Sequence, residues 1–131
     1  MDQSFGKAYK LCSKKAIDSL FVEKLTVKNY PFVLNYAIQD LDTEKGFQIV
    51  ISAPKRIFRK AHERNRIKRL MKEVIRKKKL ILENYLEENK MQIAIFLIYT
   101  VKEELKYQVL ENKMEQLLTK LVNDLNKKNN D

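Results

Sequence analysis

The residues best suited to chemistry in this chain are concentrated between positions 55 and 79. That segment holds thirteen Lys and Arg against two Glu, which leaves 14 basic and 15 acidic residues in the rest of the 131-residue chain. Its centre, residues 64–69, reads RNRIKR. Arg offers a planar fork of donors that matches phosphate oxygens, Asn can bond a phosphate or a base edge, and Lys adds a mobile charge. A basic patch this concentrated predicts phosphate binding.

Two other interpretations of the basic segment stay open. A run of charges is often only a solvated helix face, but here Glu63 and Glu73 are the only acids in the segment. Like charges therefore repel at spacings that cost stability. A basic amphipathic helix can also lie on an anionic membrane, although this one lacks the Trp or Phe anchors that such helices usually carry. The uncompensated repulsion favours an anionic partner over a solvated face, and the missing anchors favour a phosphate-bearing nucleic acid over a membrane.

The chain offers little for covalent or metal catalysis. Its only histidine is His62 and its only cysteine is Cys12, and no Gly-rich phosphate loop, metal-ligand spacing or Ser/His/Asp arrangement is present. His62 beside Glu63 could shuttle protons in principle, but nothing in the sequence would orient it. Cys12 has no visible base partner, so we expect it to pack rather than to react. We therefore predict no catalytic residue and no metal site in the protein.

Apolar residues that repeat every three or four positions predict three helices to position these groups. The central helix is the clearest, because its aliphatic residues form one stripe that would pack inward while its polar flank faces outward. That flank comprises Asn65, Lys68, Arg69, Lys72, Arg76 and Lys79. The helices are expected from Ser13, as N-cap, to Lys24, from Ala61 to Leu82, and from Lys106 to Asn126.

Strands are predicted at residues 32–38, 47–52 and 92–99. The polar turn at residues 40–46 indicates that the first two form an antiparallel hairpin. The third strand is apolar at both odd and even positions, as expected of a strand that is covered on both faces of the sheet. Strands and helices together predict the α+β class.

Length and composition place the chain in one domain. We expect it to span residues 1–131, with residues 1–6 and 127–131 frayed. No stretch approaches the ~20 apolar residues that span a bilayer, and none has the form of a secretory signal. The single cysteine fits a reducing compartment. A cytoplasmic protein without membrane association is the expectation.

The basic helix resembles the signature helix of the bacterial ribonuclease P protein family. The similarity rests on residues 64–70 (RNRIKRL) with Glu73, and it includes a Phe-x-Leu pattern at residues 32–34 and the turn at residues 51–56 (ISAPKR). Residues 107–118 resemble the closing amphipathic helix of that family. The resemblance implies a single α+β domain with a sheet of about four strands, like the second domain of a small-subunit ribosomal protein.

This resemblance also implies a function. The protein would bind the catalytic RNA of ribonuclease P and the 5′ leader of precursor tRNA, and would assist Mg²⁺-dependent removal of the leader. Catalysis and most Mg²⁺ binding would belong to the RNA, and no obligate protein partner is implied. The residues implied to contact RNA are Lys55, Arg56, Arg64, Asn65, Arg66, Lys68, Arg69, Lys72 and Arg76. Those implied to line a leader cleft are Lys14, Ile17, Phe21, Val33 and Asn35, of which Ile17 and Asn35 replace expected aromatic residues.

Two rival functions remain open from the sequence. A ribosomal or other structural RNA-binding protein would share the basic helix but would leave precursor cleavage unchanged. A stand-alone nuclease would cleave RNA without an RNA subunit, and the lack of paired acids or bases disfavours it.

Overall fold

A computed structural model describes residues 6–23 and 25–129 of the chain. It has an α+β fold with a four-stranded sheet, which confirms the predicted class. The elements, in chain order, are a 3₁₀ turn (Lys7–Tyr9), α1 (Lys14–Glu23), β1 (Leu25–Asn29), β2 (Phe32–Ile38), β3 (Phe47–Ser52), α2 (Ala61–Lys78), α3 (Leu80–Glu88), β4 (Ile93–Tyr99) and α4 (Tyr107–Asn129).

The sheet has the strand order β1-β2-β4-β3. β1 pairs with β2 and β2 with β4 in antiparallel fashion, whereas β3 and β4 are parallel. The predicted hairpin between β2 and β3 is therefore wrong, because β4 lies between them. β1 and β2 form the hairpin instead, with Asn29 opposite Phe32.

The connection from β2 to β3 is held across the end of β4 by Gln92. The Gln92 side-chain nitrogen donates to the carbonyl oxygens of Thr43, at 2.9 Å, and Lys45, at 2.8 Å. Its side-chain oxygen accepts a hydrogen bond from the Leu41 amide at 2.8 Å. These contacts satisfy backbone groups that would otherwise lack partners. A polar turn in the sequence does not reveal whether the next strand is adjacent, and Gln92 supplies the missing long-range constraint.

One face of the sheet packs against α2, α3 and α4 to form the main core. Leu34 and Tyr36 of β2 are fully buried there, as is Tyr99 of β4. The buried residues of α2 are Ile67, Met71, Val74 and Ile75, and those of α4 are Leu110, Met114, Leu117, Leu118, Leu121 and Leu125. Because this stripe anchors α2 to the core, the opposite flank of the helix faces solvent.

The other face of the sheet is covered by α1 over only part of its area. Ala37 and Ala94 pair across β2 and β4, and their small side chains let Ala16 and Leu20 of α1 pack closely. As predicted, Ser13 caps α1, because its Oγ accepts a hydrogen bond from the Ala16 amide at 3.3 Å.

Two predicted helix boundaries differ from the structure. The central helix is interrupted at Lys79, so α2 ends at Lys78 and the turns after it form α3. The last helix continues past Asn126 to Asn129, into the segment predicted to fray. Residues 1–5, 24, 130 and 131, on which other predicted ends fall, lie outside the described residues. Within residues 6–23 and 25–129, no helix is both long enough and apolar enough to cross a bilayer.

Candidate RNA-binding surfaces

The basic segment consists of two parts that differ in environment. The upstream part, residues 55–72, includes the turn after β3 and most of α2, and the downstream part is residues 73–79. In the upstream part, five of the predicted RNA contacts are exposed or half-exposed and have no ion-pair partner among the described residues. They are Lys55, Arg56, Lys68, Arg69 and Lys72. Asn65 is exposed on the same helix. These side chains can approach phosphates without first breaking a contact inside the protein.

Two upstream arginines do have partners. Arg64 Nη1 donates to the carbonyl oxygens of Phe58, at 2.8 Å, and Arg59, at 3.1 Å, so it closes the turn before α2. Arg66 Nε lies 2.9 Å from Glu104 Oε1, with the two side chains 71% and 36% exposed. Such an exposed pair is weak. Arg66 is therefore available to a phosphate, whereas Arg64 also holds the local backbone in place.

The first downstream cation is Arg76, which forms an ion pair with Glu73 on the same helix. Arg76 donates to Glu73 twice, from Nη2 to Oε1 at 2.5 Å and from Nε to Oε2 at 3.2 Å. These hydrogen bonds lower the pKa of the Glu73 carboxyl and raise the pKa of the Arg76 guanidinium. Lys77 Nζ lies 5.3 Å from the centroid of the Tyr107 ring. The Arg76 charge, predicted to contact RNA, is thus partly neutralised within the protein.

Lys78 at the end of α2 is neutralised by α4. Its Nζ lies 3.2 Å from Glu115 Oε2 and 3.5 Å from Glu111 Oε1. The hydrogen bond to Glu115 is the largest influence that raises the pKa of the Lys78 amine, and the Glu111 charge adds to it. This cation therefore joins α2 to α4.

Lys79 contradicts the predicted outward flank, because it is only 1% exposed. Its Nζ donates to the Tyr9 hydroxyl oxygen at 3.1 Å and lies 3.7 Å from Glu83 Oε1. The Tyr9 hydroxyl in turn donates to Glu83 Oε1 at 2.6 Å. A buried ammonium group requires such partners. Lys79 is a core residue at the α2–α3 junction and not part of a solvent-facing row.

A second candidate surface is the groove between α1 and the partly open face of the sheet. Phe21 of α1 is 56% exposed, and its ring centroid lies 6.0 Å from that of Phe96 on β4. Phe96 is opposite Asn35 on β2, and Asn35 Oδ1 accepts a hydrogen bond from Thr26 Oγ1 at 2.9 Å. Accessible rings beside amide and hydroxyl groups suit a single-stranded base, which stacks on aromatic rings and hydrogen-bonds through its edges.

The five residues predicted to line a leader cleft lie on this side of the sheet. On α1, Lys14 is exposed, Ile17 packs beside the Ala37–Ala94 pair and Phe21 reaches Phe96. Val33 and Asn35 have the same strand parity as Ala37, so they share its face of β2. Ile17, Phe21 and Asn35 therefore lie on the same side of the sheet, near Phe96, and their contact with RNA stays a prediction.

Sequence reasoning missed the part of β4 in this groove. Phe96 and Ile98 are partly exposed on the α1 side, so the prediction that residues 92–99 are covered on both sides is wrong for this end of the strand. Val50 of β3 lies opposite Phe96 and extends the same surface. Every residue from Ile93 to Tyr99 is apolar, so the sequence has no alternation of polar and apolar residues to indicate which side chains would remain exposed.

The two residues considered for catalysis are both exposed. His62 is exposed in the first turn of α2. Cys12 is exposed, so its predicted packing role is wrong; the neighbouring Leu11 enters the cluster under α1 instead. In the part of the chain that the structure describes, no group of three or more His, Cys, Asp or Glu side chains could hold a metal ion.

Comparisons with known proteins agree with this architecture. A family model described as Ribonuclease P matches residues 5–122. The ribonuclease P protein component of Porphyromonas gingivalis is 26% identical over 124 residues, which cover 93% of this chain and 90% of that protein. The solved RNase P protein of Thermotoga maritima has a TM-score of 0.67 at 20% identity and covers 85% of this chain and 96% of its own. That of Staphylococcus aureus has a TM-score of 0.65 at 21% identity, over 86% and 94% of the two chains.

Proposed function

The chain belongs to the ribonuclease P protein family, and from this premise we propose that its upstream cations bind the catalytic RNA of the holoenzyme. The family model covers most of the chain, from residue 5 to residue 122. A protein component of this family is part of a ribonucleoprotein endoribonuclease with an RNA partner and takes part in tRNA processing.

The observation that carries the proposal is a row of unneutralised cations on a rigid helix. Lys68, Arg69 and Lys72 lie on α2, whose opposite face is fixed in the core, and none of them has an ion-pair partner within the described residues. Cations held this way release counterions from RNA when they bind, and no backbone entropy is lost because the helix is already ordered. Asn65, Arg66, Lys55 and Arg56 extend the surface, and Arg64 and Arg76 contribute from its borders.

The groove beside α1 is proposed to hold the single-stranded 5′ leader of precursor tRNA. Phe21 and Phe96 supply aromatic surface, Asn35 supplies an amide and Lys14 supplies an exposed charge. This combination suits an unpaired strand, since stacking and phosphate contacts tolerate many sequences. Ile17 and Val33 would add aliphatic contact with the leader.

No protein residue is proposed to act in the chemical step. Mg²⁺ would be held chiefly by the RNA, and cleavage of the precursor would occur there. The protein would neutralise phosphates near the RNA active site and hold the leader, which raises the affinity of the assembly for its substrate at low Mg²⁺. The proposed setting is the cytoplasm, without an obligate protein partner.

A reconstitution experiment tests the function. The purified chain is added to ribonuclease P RNA and a precursor tRNA at Mg²⁺ concentrations too low for the RNA alone. The proposal expects restored removal of the 5′ leader. A structural RNA-binding protein would bind RNA and leave cleavage unchanged, and a stand-alone nuclease would cleave the precursor without the RNA subunit.

A pair of neighbouring substitutions isolates the groove in the same assay. Phe21→Ala should weaken precursor affinity by about 1–3 kcal/mol, the usual loss when one stacked base is released. Val22→Ala is the matched control, because Val22 is the adjacent residue and is 79% exposed. A precursor with a minimal leader should respond to neither change. Equal effects of Phe21→Ala on long and minimal leaders would remove the groove from the proposal.

A further inference from the structure

A basic cleft of ≈ 470 Å³ lies beside β3, one of the two edge strands of the sheet. It is bordered on one side by the N-terminal segment and on the other by α2. Its apolar lining includes Leu11, Ile49, Val50 and Ile51, and its cations are Lys7, Lys10, Lys68 and Lys72. Lys68 and Lys72 belong to the proposed RNA surface of α2, whereas Lys7 and Lys10 come from the N-terminal segment.

The N-terminal side of the cleft is attached to the sheet. Lys10 forms a parallel bridge with Ile49, and the Leu11 amide donates to the Ile49 carbonyl oxygen at 3.1 Å. Leu11 is also buried under α1. The backbone of this segment therefore follows the β3 edge and occupies the position that an added strand would need.

Tyr9 anchors the same segment in the core. It is 2% exposed, and its ring lies 5.2 Å from the Phe47 ring centroid and 4.4 Å from Lys79 Nζ. Lys7 and Lys10, on either side of this anchor, are exposed. Their Cα positions are thus fixed by the fold, and only their side chains remain free to adapt to a ligand.

The cleft gathers positive charge without compensation. The described residues that line it include four lysines and no Asp or Glu, and none of the four lysines has an ion pair within the described chain. Ammonium groups that converge on one space repel each other, and an anion between them relieves that repulsion. The chemistry of this site therefore matches a polyanion with an apolar component.

The position of the cleft identifies which polyanion. α2, with Lys68 and Lys72, packs on the main-core face of the sheet, whereas Val50 lies on the groove face opposite Phe96. Both Val50 and Lys72 line the cleft. The β3 edge consequently joins the leader groove to the basic flank of α2, which otherwise lie on opposite faces of the sheet.

We propose that this cleft holds the sugar-phosphate backbone of the single-stranded RNA that leaves the groove, with Lys7 and Lys10 as phosphate ligands. This inference rests on the proposed function, because the RNA it binds is the strand in the groove. The four ammonium groups neutralise phosphates, and the aliphatic lining contacts riboses and bases without sequence preference. An extended peptide is disfavoured because Lys10 and Leu11 already occupy the β3 edge at Ile49.

The test compares two double variants that remove the same charge. Lys7→Ala with Lys10→Ala changes the cleft, and Lys127→Ala with Lys128→Ala changes two exposed lysines at the end of α4. Each is titrated against single-stranded oligoribonucleotides of about 4 and about 12 nucleotides, at several salt concentrations, by fluorescence anisotropy. Circular dichroism melting checks that both variants stay folded.

The long oligoribonucleotide should bind Lys7→Ala/Lys10→Ala roughly tenfold more weakly, because two phosphate contacts are lost. The slope of log affinity against log salt should flatten by about 1.4, since each phosphate on a single strand contributes about 0.7. The short oligoribonucleotide, which the groove alone can hold, should bind as before. Lys127→Ala/Lys128→Ala should leave the affinities for both oligoribonucleotides and the salt slope unchanged.

Different failures separate the two proposals. If Lys7→Ala/Lys10→Ala binds the long oligoribonucleotide like the α4 variant while Phe21→Ala weakens it, the cleft proposal is overturned and the proposed function stands. If the parent chain binds neither oligoribonucleotide and does not support precursor cleavage, the proposed function fails as well. Titration with inorganic phosphate tests whether the cleft binds only small free anions. If it binds phosphate but does not raise the affinity for the long oligoribonucleotide, the proposal is overturned.

Discussion

Residues 55–72 contain nine cations and residues 73–79 contain four, and the two groups are treated differently by the fold. In the upstream part, the only ion pair within the described residues is the exposed one between Arg66 and Glu104. In the downstream part, carboxylates on α2, α3 and α4 engage Arg76, Lys78 and Lys79. Only cations that are not already neutralised release counterions from RNA at full strength. The formal charge of the segment therefore overstates its capacity to bind RNA.

The direction of α2 accounts for part of this difference. Cations near the C-terminus of a helix interact favourably with its macrodipole, and the last turn of α2 carries Arg76, Lys77 and Lys78. Cations near the N-terminus are disfavoured by the same dipole, yet Arg64 lies in the first turn. The dipole thus adds to the stabilising interactions of the downstream cations, whereas the upstream ones gain nothing from it, and only Arg66 among them has an ion pair within the described residues.

The largest expected difference between the upstream and downstream parts is in their contribution to the stability of the fold. Lys79→Ala should lower the free energy of unfolding by about 2–4 kcal/mol, because it leaves a cavity and removes the cation between Tyr9 and Glu83. Urea unfolding measures the change. Lys77→Ala, two residues earlier and exposed, should lower that free energy by at most about 1 kcal/mol, the loss expected for its exposed cation–π contact with Tyr107. A Lys79→Ala protein as stable as the parent would contradict the structural role of the downstream part.

A direct comparison of the two parts uses RNA affinity. Arg69→Ala with Lys72→Ala should reduce the salt slope for ribonuclease P RNA by about 1.8, since each phosphate contact contributes about 0.9. Affinity should fall by roughly 2 kcal/mol. Arg76→Ala with Lys78→Ala removes the same charge and should change the slope by less than about half as much. Filter binding at several salt concentrations measures the affinity and salt slope of both double variants. Equal slopes would contradict the difference between the upstream and downstream cations.

A smaller effect should follow from releasing Arg76. Glu73→Gln removes the negative charge that accepts both Arg76 hydrogen bonds, so less of the guanidinium charge is neutralised within α2. RNA affinity should rise about two- to threefold, with a slope steeper by at most about 0.9. Glu88→Gln makes the same charge change at an exposed position of α3 and serves as the control. If the two variants gain affinity equally, Glu73 does not shield Arg76.

The smallest effect is expected at the one upstream ion pair. Glu104→Gln should raise RNA affinity by less than about twofold, because an exposed pair withholds little of the Arg66 charge. The same filter-binding titration detects it, with Glu103→Gln, the exposed neighbour, as control. A gain larger than that of Glu73→Gln would show that the upstream part is also shielded.

Much of the fold was predictable from local patterns. The period of the apolar residues located α1, α2 and α4, and Ser13 was identified as a cap, because both signals depend on residues within one or two turns. The RNRIKR motif pointed to the family for the same reason. The position of β3 was not predictable, since Gln92 holds the connecting loop across β4 from far along the chain. The open end of β4 at Phe96 was not predictable either, because it depends on how much of that sheet face α1 covers.

By itself, the sequence determined where the cations are concentrated, which face of the central helix is aliphatic and which family the chain resembles. These are properties of residues that are neighbours along the chain. Tertiary structure alone decided which cations remain free, because the acids that neutralise Lys78 and Lys79 come from α4 and α3. It also decided that Lys7 and Lys10 share a cleft with Lys68 and Lys72, since pairing at the β3 edge brings these distant segments together.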